Sequence, residues 1–506
     1  MQTTTLSLAD SQNWRGAALI AASFVTHEGA AYWLEESGGQ RQLAVLAPPD
    51  HAALADLAGQ PGGERDGYHL TLAPADHATA RWLRGALPWL TPRPIGQHTS
   101  AGFGDRLGLA TPGHIRALRE VLAATPGATI APIFAQQSIR EMARTHRTPA
   151  AVLNDATWGT FAAGWVAGVG ADADHLKTPE DIDACAAEGY SLYTIDPGLH
   201  VDDAADGDDP ATLHTKLGAV PWDRLETTAA DFLRRYAGRT FALEARSLTL
   251  SEPEVIRAAV KYGAAIAYVA RMYRHLITKG IPTELEVSVD ETATPTTAAE
   301  HLIFASELRR LGVQWVSLAP RFVGAFEKGT DYIGDLDALR ADLAVHAQIA
   351  RVLGPYKLSL HSGSDKFSVY PLFVEATHGV GHLKTAGTSY VEALRVIAAA
   401  DPALFREILR FDAGRYPTDR ATYHVSAEVA RLPDPAQVPV GELAALLNNH
   451  DVRQVVHVTY GSTLDQFHDA IFGVLRANQG GYDAVIARHF VRHLAPFAVV
   501  PAPAVK

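Results

Sequence analysis

Short apolar runs alternate with longer helical patterns along the chain from about residue 98 onward. The clearest helical pattern spans Thr297–Leu311, where an apolar stripe at helical spacing follows a capping box of Thr297 and Glu300. Eight units of strand and helix predict an α/β fold, a (β/α)8 barrel of the TIM type. A doubly wound open sheet is the alternative, but it usually needs fewer strands. The strand candidates are Ser100–Gly104, Thr129–Ala135, Trp165–Ala173, Ser191–Asp196, Leu285–Asp290, Trp315–Ala319, Lys357–His361 and Gly381–Ala386.

Two regions flank the predicted barrel, which spans residues 96–399. Residues 1–95 form a β-rich lobe, because short strand candidates alternate with turn residues up to a proline-rich linker at Leu87–Pro94. Residues 400–506 form a mostly helical C-terminal extension. An acidic insertion near residues 200–219 interrupts the barrel, and its clustered like charges predict a solvated segment. The strand candidates of the lobe are Leu19–Val25, Ala31–Leu34 and Gln42–Leu46.

Polar residues occupy alternate positions within the barrel strands. A strand sends alternate side chains to opposite faces, and the aliphatic face of a barrel strand meets the surrounding helices. The polar residues should therefore point into the barrel, where carboxylates are costly unless they are paired or bound to metal. The inward candidates in the fifth and seventh strands are Glu286, Ser288, Asp290, Lys357, Ser359 and His361.

Histidines and carboxylates gather where the predicted strands end, which is where barrels of this type hold their active sites. Such ligands, without cysteine, predict a divalent metal of the zinc, manganese, nickel or cobalt type. No H-E-x-x-H pair is present, so a helical zinc site is excluded. The predicted ligands, drawn from separate strands, are His175, Asp290, His361 and His382.

The two loops after the seventh and eighth strands are rich in small and hydroxyl residues. Ser362–Lys366 and Ala386–Ser389 expose backbone N–H groups at a place where many barrels bind phosphate. We expect an anion there, and a carboxylate would suit the same donors. A pair of tight glycine turns that cap the following helices is the alternative interpretation.

Composition and charge exclude several classes of protein. The formal net charge is −12 and no basic cluster appears, so nucleic acid is not an expected partner. A single cysteine, Cys185, excludes a disulfide framework and metal centres built on cysteine. The N-terminus lacks a secretory pattern and no apolar run could cross a membrane, so we expect a soluble, cytoplasmic protein. No G-x-G-x-x-G motif joins a strand to a helix, so no nicotinamide cofactor is expected.

Several long strings carry a resemblance to a known family. They are Glu286–Thr297, Trp315–Gly324, Lys357–Phe367, Lys384–Tyr390 and His457–Gly461. Through them the chain resembles the tagaturonate epimerase family of bacterial hexuronate catabolism. The resemblance implies metal-dependent interconversion of D-tagaturonate and D-fructuronate. Because relatives act as 4-epimerases on tagatose and fructose, it leaves a uronate or a neutral ketohexose open as substrate.

The implied reaction constrains the mechanism. The inverted carbon is β to the ketone, so its C–H is not acidified, whereas its hydroxyl is placed for retro-aldol cleavage and re-addition. We expect Asp174 and Glu286 to be the acid–base groups on the two faces of the substrate. The residues expected to bind the substrate, its carboxylate included, are Arg106, Gln137, Ser138, Thr194, Arg321, Ser362, Ser364 and Lys384.

Three other functions stay open at this point. A class II aldolase or lyase would share the C–C cleavage but release the fragments, and an aldose–ketose isomerase would use a similar metal-lined barrel. A sugar-binding barrel without catalysis is disfavoured, because a passive site seldom needs so many ionisable groups. The expected partner is a small sugar or sugar acid, and a homo-oligomer is left open.

Overall fold

The structure is a computed structural model that describes residues 18–37 and 40–500. Residues 1–17 of the predicted lobe and residues 501–506 of the C-terminal extension lie outside the described residues.

An antiparallel sheet forms the N-terminal region. Its strands run in the order β1, β3, β4, β6, β5, with β2 paired to β3. The predicted strand Leu19–Val25 is wrong in its middle, where a 3-10 turn covers Ala21–Ser23. Two strands were not predicted; one of them contains Pro61, Gly62 and Gly63, residues that are depleted in strands. The strands are β1 (Ala18–Leu19), β2 (Val25–His27), β3 (Ala30–Ser37), β4 (Gln40–Ala47), β5 (Gln60–Arg65) and β6 (Tyr68–Pro74).

The central sheet is a closed barrel of parallel strands, as the sequence predicted. Every predicted barrel segment overlaps one of its strands. A small hairpin of β11 (Thr240–Ala242) and β12 (Ser247–Thr249) lies outside the barrel. The barrel strands are β7 (Ser100–Phe103), β8 (Ala131–Ser138), β9 (Gly170–Leu176), β10 (Leu192–Ile195), β13 (Glu284–Ser288), β14 (Ser317–Ala319), β15 (Lys357–Leu360) and β16 (Gly381–Thr385).

Helices surround the barrel and continue beyond it. The capping box at Thr297 and Glu300 is confirmed, because each side chain accepts a hydrogen bond from the backbone N–H of the other. Among the described residues, no helix has the length and apolarity that a bilayer span requires. The helices are α1 (His77–Ala86), α2 (Thr111–Ala124), α3 (Ile139–Arg144), α4 (Pro149–Ala162), α5 (Pro179–Ala186), α6 (Pro210–Ala219), α7 (Ala229–Tyr236), α8 (Glu252–Ile277), α9 (Ala298–Arg310), α10 (Leu336–Leu353), α11 (Tyr370–Ala376), α12 (Thr388–Ala400), α13 (Pro402–Asp419), α14 (His450–Ala477) and α15 (Gln479–Leu494).

The main hydrophobic core lies between the barrel strands and the helices. Leu285, Val287, Leu358 and Leu360 are buried there, at the aliphatic positions of β13 and β15. Burying one such side chain stabilises the fold by about 2 kcal/mol. The polar positions of the same strands are thereby directed into the barrel.

The acidic insertion at residues 200–219 forms ion pairs both within itself and with α8. Lys216 pairs with Asp202 at 2.8 Å and with Asp208 at 2.6 Å. Asp206 pairs with the fully buried ammonium of Lys261 at 2.8 Å. Most residues of the insertion are exposed or half-buried, in agreement with a solvated segment, although several of its carboxylates have cationic partners on the insertion itself and on α8.

Candidate active site

A buried lysine is the centre of the barrel interior. The Lys384 ammonium on β16 lies 2.7 Å from a carboxylate oxygen of Asp172, 2.7 Å from Asp174 and 2.8 Å from Glu286. It also donates to the Thr194 hydroxyl at 2.6 Å. These side chains meet because all occupy inward positions of β9, β10, β13 and β16. One cation thus faces three carboxylates in a site closed to solvent.

Two imidazoles contact the outer side of this charge cluster. His175 Nδ1 donates to Asp174 at 2.7 Å, and His361 Nε2 donates to Glu286 at 2.7 Å. In each case the accepting oxygen is the one that also contacts Lys384. Both carboxylates are therefore held between an imidazole and the same ammonium.

A β-bulge explains how two consecutive residues, Asp174 and His175, both reach the site. Neighbours on a regular strand point to opposite faces. Here the pairing of β9 with β10 shifts so that Ile195 lies opposite Leu176, and His175 takes a left-handed φ of 54°. An extra residue of this kind re-aims a side chain, and bulges are frequent beside active sites.

Three of the four predicted metal ligands form one group. The ligand atoms of His175, Asp290 and His361 all lie within 4.8 Å of one another. Among the described residues, no hydrogen-bond partner contacts the buried His175 Nε2 atom. Metal-bound histidines typically donate their second N–H to a carboxylate, as His175 and His361 do. The group therefore fits a divalent ion that accepts nitrogen and oxygen ligands.

The charges of the cluster are strongly coupled. Burial opposes ionisation, yet Lys384 and His361 hold the pKa of Glu286 well below its usual range. Burial raises the pKa of Asp172 to about 6, against the effect of Lys384. Burial would also deprotonate Lys384, but Asp172, Asp174 and Glu286 raise its pKa well above the usual value. Three carboxylates around one buried amine thus favour the ammonium form of Lys384, which is not nucleophilic.

A cavity of about 220 Å³ opens above Asp290 and His361. This is smaller than the roughly 300–1,000 Å³ of pockets for drug-sized ligands and suits a monosaccharide. Its wall includes Arg321, Ser362 and Lys328, whose ammonium donates to the Ser362 hydroxyl at 2.8 Å. No described residue forms a hydrogen bond or ion pair with the Arg321 guanidinium.

The two glutamates of the cavity wall are already paired. Glu291 forms an ion pair with Arg140 at 2.9 Å. Glu327 accepts from the Ser426 hydroxyl at 2.6 Å and from Gln454 at 2.7 Å. Among the described residues, Arg321 and Lys328 form no ion pair with a carboxylate, whereas Glu327 keeps its negative charge because its partners are neutral.

The structure directs the predicted substrate residue Gln137 away from the barrel interior. Its carbonyl accepts from Arg147 at 2.8 Å, whereas Gln136 donates to Asp174 at 3.1 Å. The pairing of β8 with β9 skips one residue between Ile133 and Ala135. Such a bulge exchanges the two faces for all following residues, so alternation counted along the sequence selects the wrong glutamine.

Two other predicted substrate residues, Arg106 and Ser138, belong to the scaffold. Arg106 is buried, pairs with Glu141 at 2.8 Å, donates to the His457 carbonyl at 2.9 Å and stacks on the ring of Tyr460. Ser138 accepts from the backbone N–H of Glu141 as the N-cap of α3. Neither side chain faces the cavity.

Two serines of the loop after β15, Ser362 and Ser364, have different surroundings. The Ser364 hydroxyl joins the loops, because it accepts from the Ala386 N–H at 2.9 Å and donates to the Ala386 carbonyl at 3.1 Å. Ser362 alone among the predicted anion-binding serines faces the cavity.

The fourth predicted metal ligand, His382, is separated from the other three. Its Nδ1 lies 2.8 Å from the Ser100 hydroxyl, which also accepts from Lys357 at 3.1 Å. His382 precedes Lys384 by two residues, or roughly 6.6 Å along a strand. It is on the inward face, as predicted, but too deep in the barrel to join the group.

Several residues of the site were not assigned from the sequence. Asp172 shares the inward face of Asp174, and Ser317 lies beside Glu286 in the strand register and donates to it at 2.5 Å. Alternation could have found both. Lys328 and Tyr423, which also line the cavity, come from irregular segments, which give no periodic signal.

A second group of similar composition lies behind the loop after β15. His493 accepts from the Asp365 N–H at 2.9 Å and donates its Nδ1–H to the His489 carbonyl at 3.1 Å. Asp365 accepts from His489 at 2.8 Å and from Arg453 at 2.7 Å. Both nitrogens of His493 are used, so this group holds the loop to α14 and α15.

Comparison with known proteins shows the family of this chain. A profile of the tagaturonate epimerase family matches residues 21–497. A tagaturonate/fructuronate epimerase from Thermotoga maritima is 41% identical over 490 residues, which cover 94% of this chain and 99% of that protein. A glycerol-complexed crystal structure of a fructuronate-tagaturonate epimerase from Cohnella laeviribosi matches with a TM-score of 0.87 and 34% identity, over 97% of both chains. Its native structure gives 0.88 and 33%, again over 97% of both chains. The chain therefore belongs to the tagaturonate epimerase family and is an epimerase.

Proposed function

We propose that this epimerase interconverts D-tagaturonate and D-fructuronate at a divalent metal held by His175, Asp290 and His361. The observation that carries the proposal is that one cavity is lined by two members of this group, Asp290 and His361, and by two cations, Arg321 and Lys328. The named relatives in Thermotoga maritima and Cohnella laeviribosi support the choice of substrate pair.

The rim favours a sugar acid over a neutral ketohexose. The protein carries a net charge of −12, yet its cavity wall contains two cations, Arg321 and Lys328, that form no ion pair with a carboxylate of the described residues. A carboxylate there would gain charge-assisted hydrogen bonds, bidentate ones from Arg321. Arg321 and Ser362 keep the role expected from the sequence, and Lys328 replaces Lys384, whose ammonium is committed to three carboxylates.

The chemistry follows from the position of the inverted carbon. A bound zinc, manganese, nickel or cobalt ion would supply a Lewis acid for the ketone of the substrate. In the proposed sequence the hydroxyl of the inverted carbon loses its proton and the adjacent C–C bond breaks, giving an aldehyde and an enediolate. The aldehyde rotates, the bond re-forms on its other face and the proton returns. No oxidant is needed, in keeping with the expected lack of a nicotinamide cofactor.

The roles of Asp174 and Glu286 change with their geometry. Each accepts from an imidazole and from Lys384, and neither lines the cavity. We therefore propose that they act through His175 and His361, whose orientation and donor strength they set. Thr194, which donates to Asp172 and accepts from Lys384, supports the same cluster.

Proton NMR in D2O tests the proposal, with D-fructuronate and D-fructose as separate substrates and with and without EDTA. We expect the 4-epimer of fructuronate to form faster, without deuterium at the inverted carbon, and only while metal is bound. Deuterium at that carbon would contradict C–C cleavage. Faster turnover of fructose would contradict the assignment of the rim, and full activity in protein shown by elemental analysis to be metal-free would contradict the metal.

A further inference from the structure

A second buried lysine, Lys366, lies outside the catalytic cluster and close to the cavity. Its side chain is inaccessible to solvent. The ammonium donates to three backbone carbonyls, those of Glu327 at 2.8 Å, Thr330 at 2.5 Å and Ser364 at 3.1 Å. Among the described residues, no carboxylate forms an ion pair with it. Each of its three N–H donors is bonded to a main-chain oxygen. The ammonium is thus surrounded by carbonyl oxygens in the way that a bound monovalent cation is.

The carbonyls come from two loops that form opposite parts of the cavity wall. Glu327 and Thr330 belong to the loop between β14 and α10, and Ser364 belongs to the loop after β15. The Glu327 carbonyl is in the same peptide unit as the Lys328 nitrogen. Any shift of this carbonyl therefore moves Lys328, whose ammonium contacts Ser362 across the two loops.

Burying the charged ammonium of Lys366 at this position is energetically unfavourable. Burial lowers the pKa of Lys366 to about 7, and the neighbouring carboxyl group of Asp365 only partly opposes the effect. Three converging carbonyls nevertheless need donors, because an unpaired buried carbonyl is costly. A lysine ammonium supplies all three from one atom.

We propose that Lys366 is a positioning residue, whose ammonium fixes the carbonyls of Glu327 and Thr330 so that Lys328 stands at the rim of the substrate cavity. This inference deepens the proposed function and rests on the role given there to Lys328. The same loop has other anchors, since Glu327 binds Ser426 and Asp331 binds Ser368. Loss of the ammonium should therefore loosen the loop without unfolding the protein.

Amide hydrogen exchange of the full-length enzyme tests the inference with Lys366→Met. We expect peptides that cover residues 324–334 to exchange about tenfold faster, because hydrogen bonds from a charged donor are lost. We also expect KM for fructuronate to rise about tenfold with little change in kcat. Lys357→Met is the matched control, since Lys357 is equally buried but contacts only Ser100 and the His98 carbonyl. It should leave exchange of this loop unchanged.

Chemical rescue separates positioning from simple packing. In Lys366→Ala, propylammonium should restore slow exchange of residues 324–334, whereas trimethylpropylammonium, which has the charge but no N–H, should not. Unchanged exchange in Lys366→Met, an equal change in Lys357→Met, or rescue by both amines would overturn the inference. If Lys366→Met does not fold, Lys366→Gln, which keeps two donors, takes its place with the same criteria. Failure of the wild type to epimerise fructuronate would refute the proposed function, while the exchange experiment would still decide the role of Lys366.

Discussion

Two groups in this protein each contain two histidines and one aspartate, and the hydrogen bonds of their histidines differ. In the group His175, Asp290 and His361, each imidazole donates one N–H to a carboxylate from the barrel interior. In the other group, Asp365, His489 and His493, both nitrogens of His493 are bonded to the main chain. In the first group no described residue forms a hydrogen bond with His175 Nε2, and Asp290 and His361 line a cavity. The second group closes a contact between a loop and two helices.

Residue type alone therefore does not distinguish the two groups as candidate metal sites. Both groups satisfy the same distance criterion for a shared ion. What separates them is the lone pair left over once the protein's own hydrogen bonds are made, because a nitrogen that already accepts an N–H cannot bind a cation. The following predictions test this distinction, beginning with the largest expected effect.

Removing a ligand of the first group should abolish metal binding. In His361→Ala we expect metal content to fall to background and kcat/KM to fall on the order of a thousandfold, since the Lewis acid is worth several kcal/mol. Elemental analysis and the NMR assay measure the two quantities. The matched control is His489→Ala, which should retain its metal. Equal metal loss in both variants would erase the contrast between the groups.

The Glu286→Gln variant tests whether Glu286 orients the imidazole of His361 or acts directly as an acid–base group. An amide oxygen is a weaker acceptor for His361, so we expect the affinity for zinc to fall about 10–100-fold in a competition titration with a chelator. Unchanged affinity together with lost turnover would instead restore the acid–base role. Glu392→Gln, near the second group, is the control and should leave the affinity unchanged.

His493→Ala should cost stability without affecting metal. The substitution leaves the Asp365 N–H without its buried acceptor, which lowers the free energy of unfolding by about 2 kcal/mol. Urea unfolding monitored by circular dichroism measures this loss. A drop in metal content in the folded variant would show that the second group also binds an ion.

Titration of metal-free protein with cobalt tests whether the second group binds an ion, and we expect that it binds none. We expect one bound ion per chain by calorimetry, because in the second group both nitrogens of His493 are already bonded to the main chain. The His361→Ala variant provides the blank. A second ion that persists in His361→Ala and is lost in His489→Ala would contradict the structural interpretation of the second group.

The features that depend on regular alternation of polar and apolar residues could be predicted from the sequence. The barrel, its strand segments and the inward face of Glu286 and His361 follow from a period of two. The prediction failed where a bulge changes the count, as at Gln136 and Gln137. Alternation also does not show how deep in the barrel a residue lies. His382 and Lys384 are both on the inward face of β16, but only Lys384 reaches the charge cluster. Lys328 comes from a loop whose position depends on contacts far away in the chain.

The loop that follows His361 is held by Arg453 and His493, which lie on α14 and α15. These helices are synthesised after every strand of the barrel. A nascent chain that has completed the barrel therefore still lacks the support for one edge of its catalytic pocket. We therefore expect a chain truncated before α14, which lacks both Arg453 and His493, to form a barrel whose loop after β15 is unsupported.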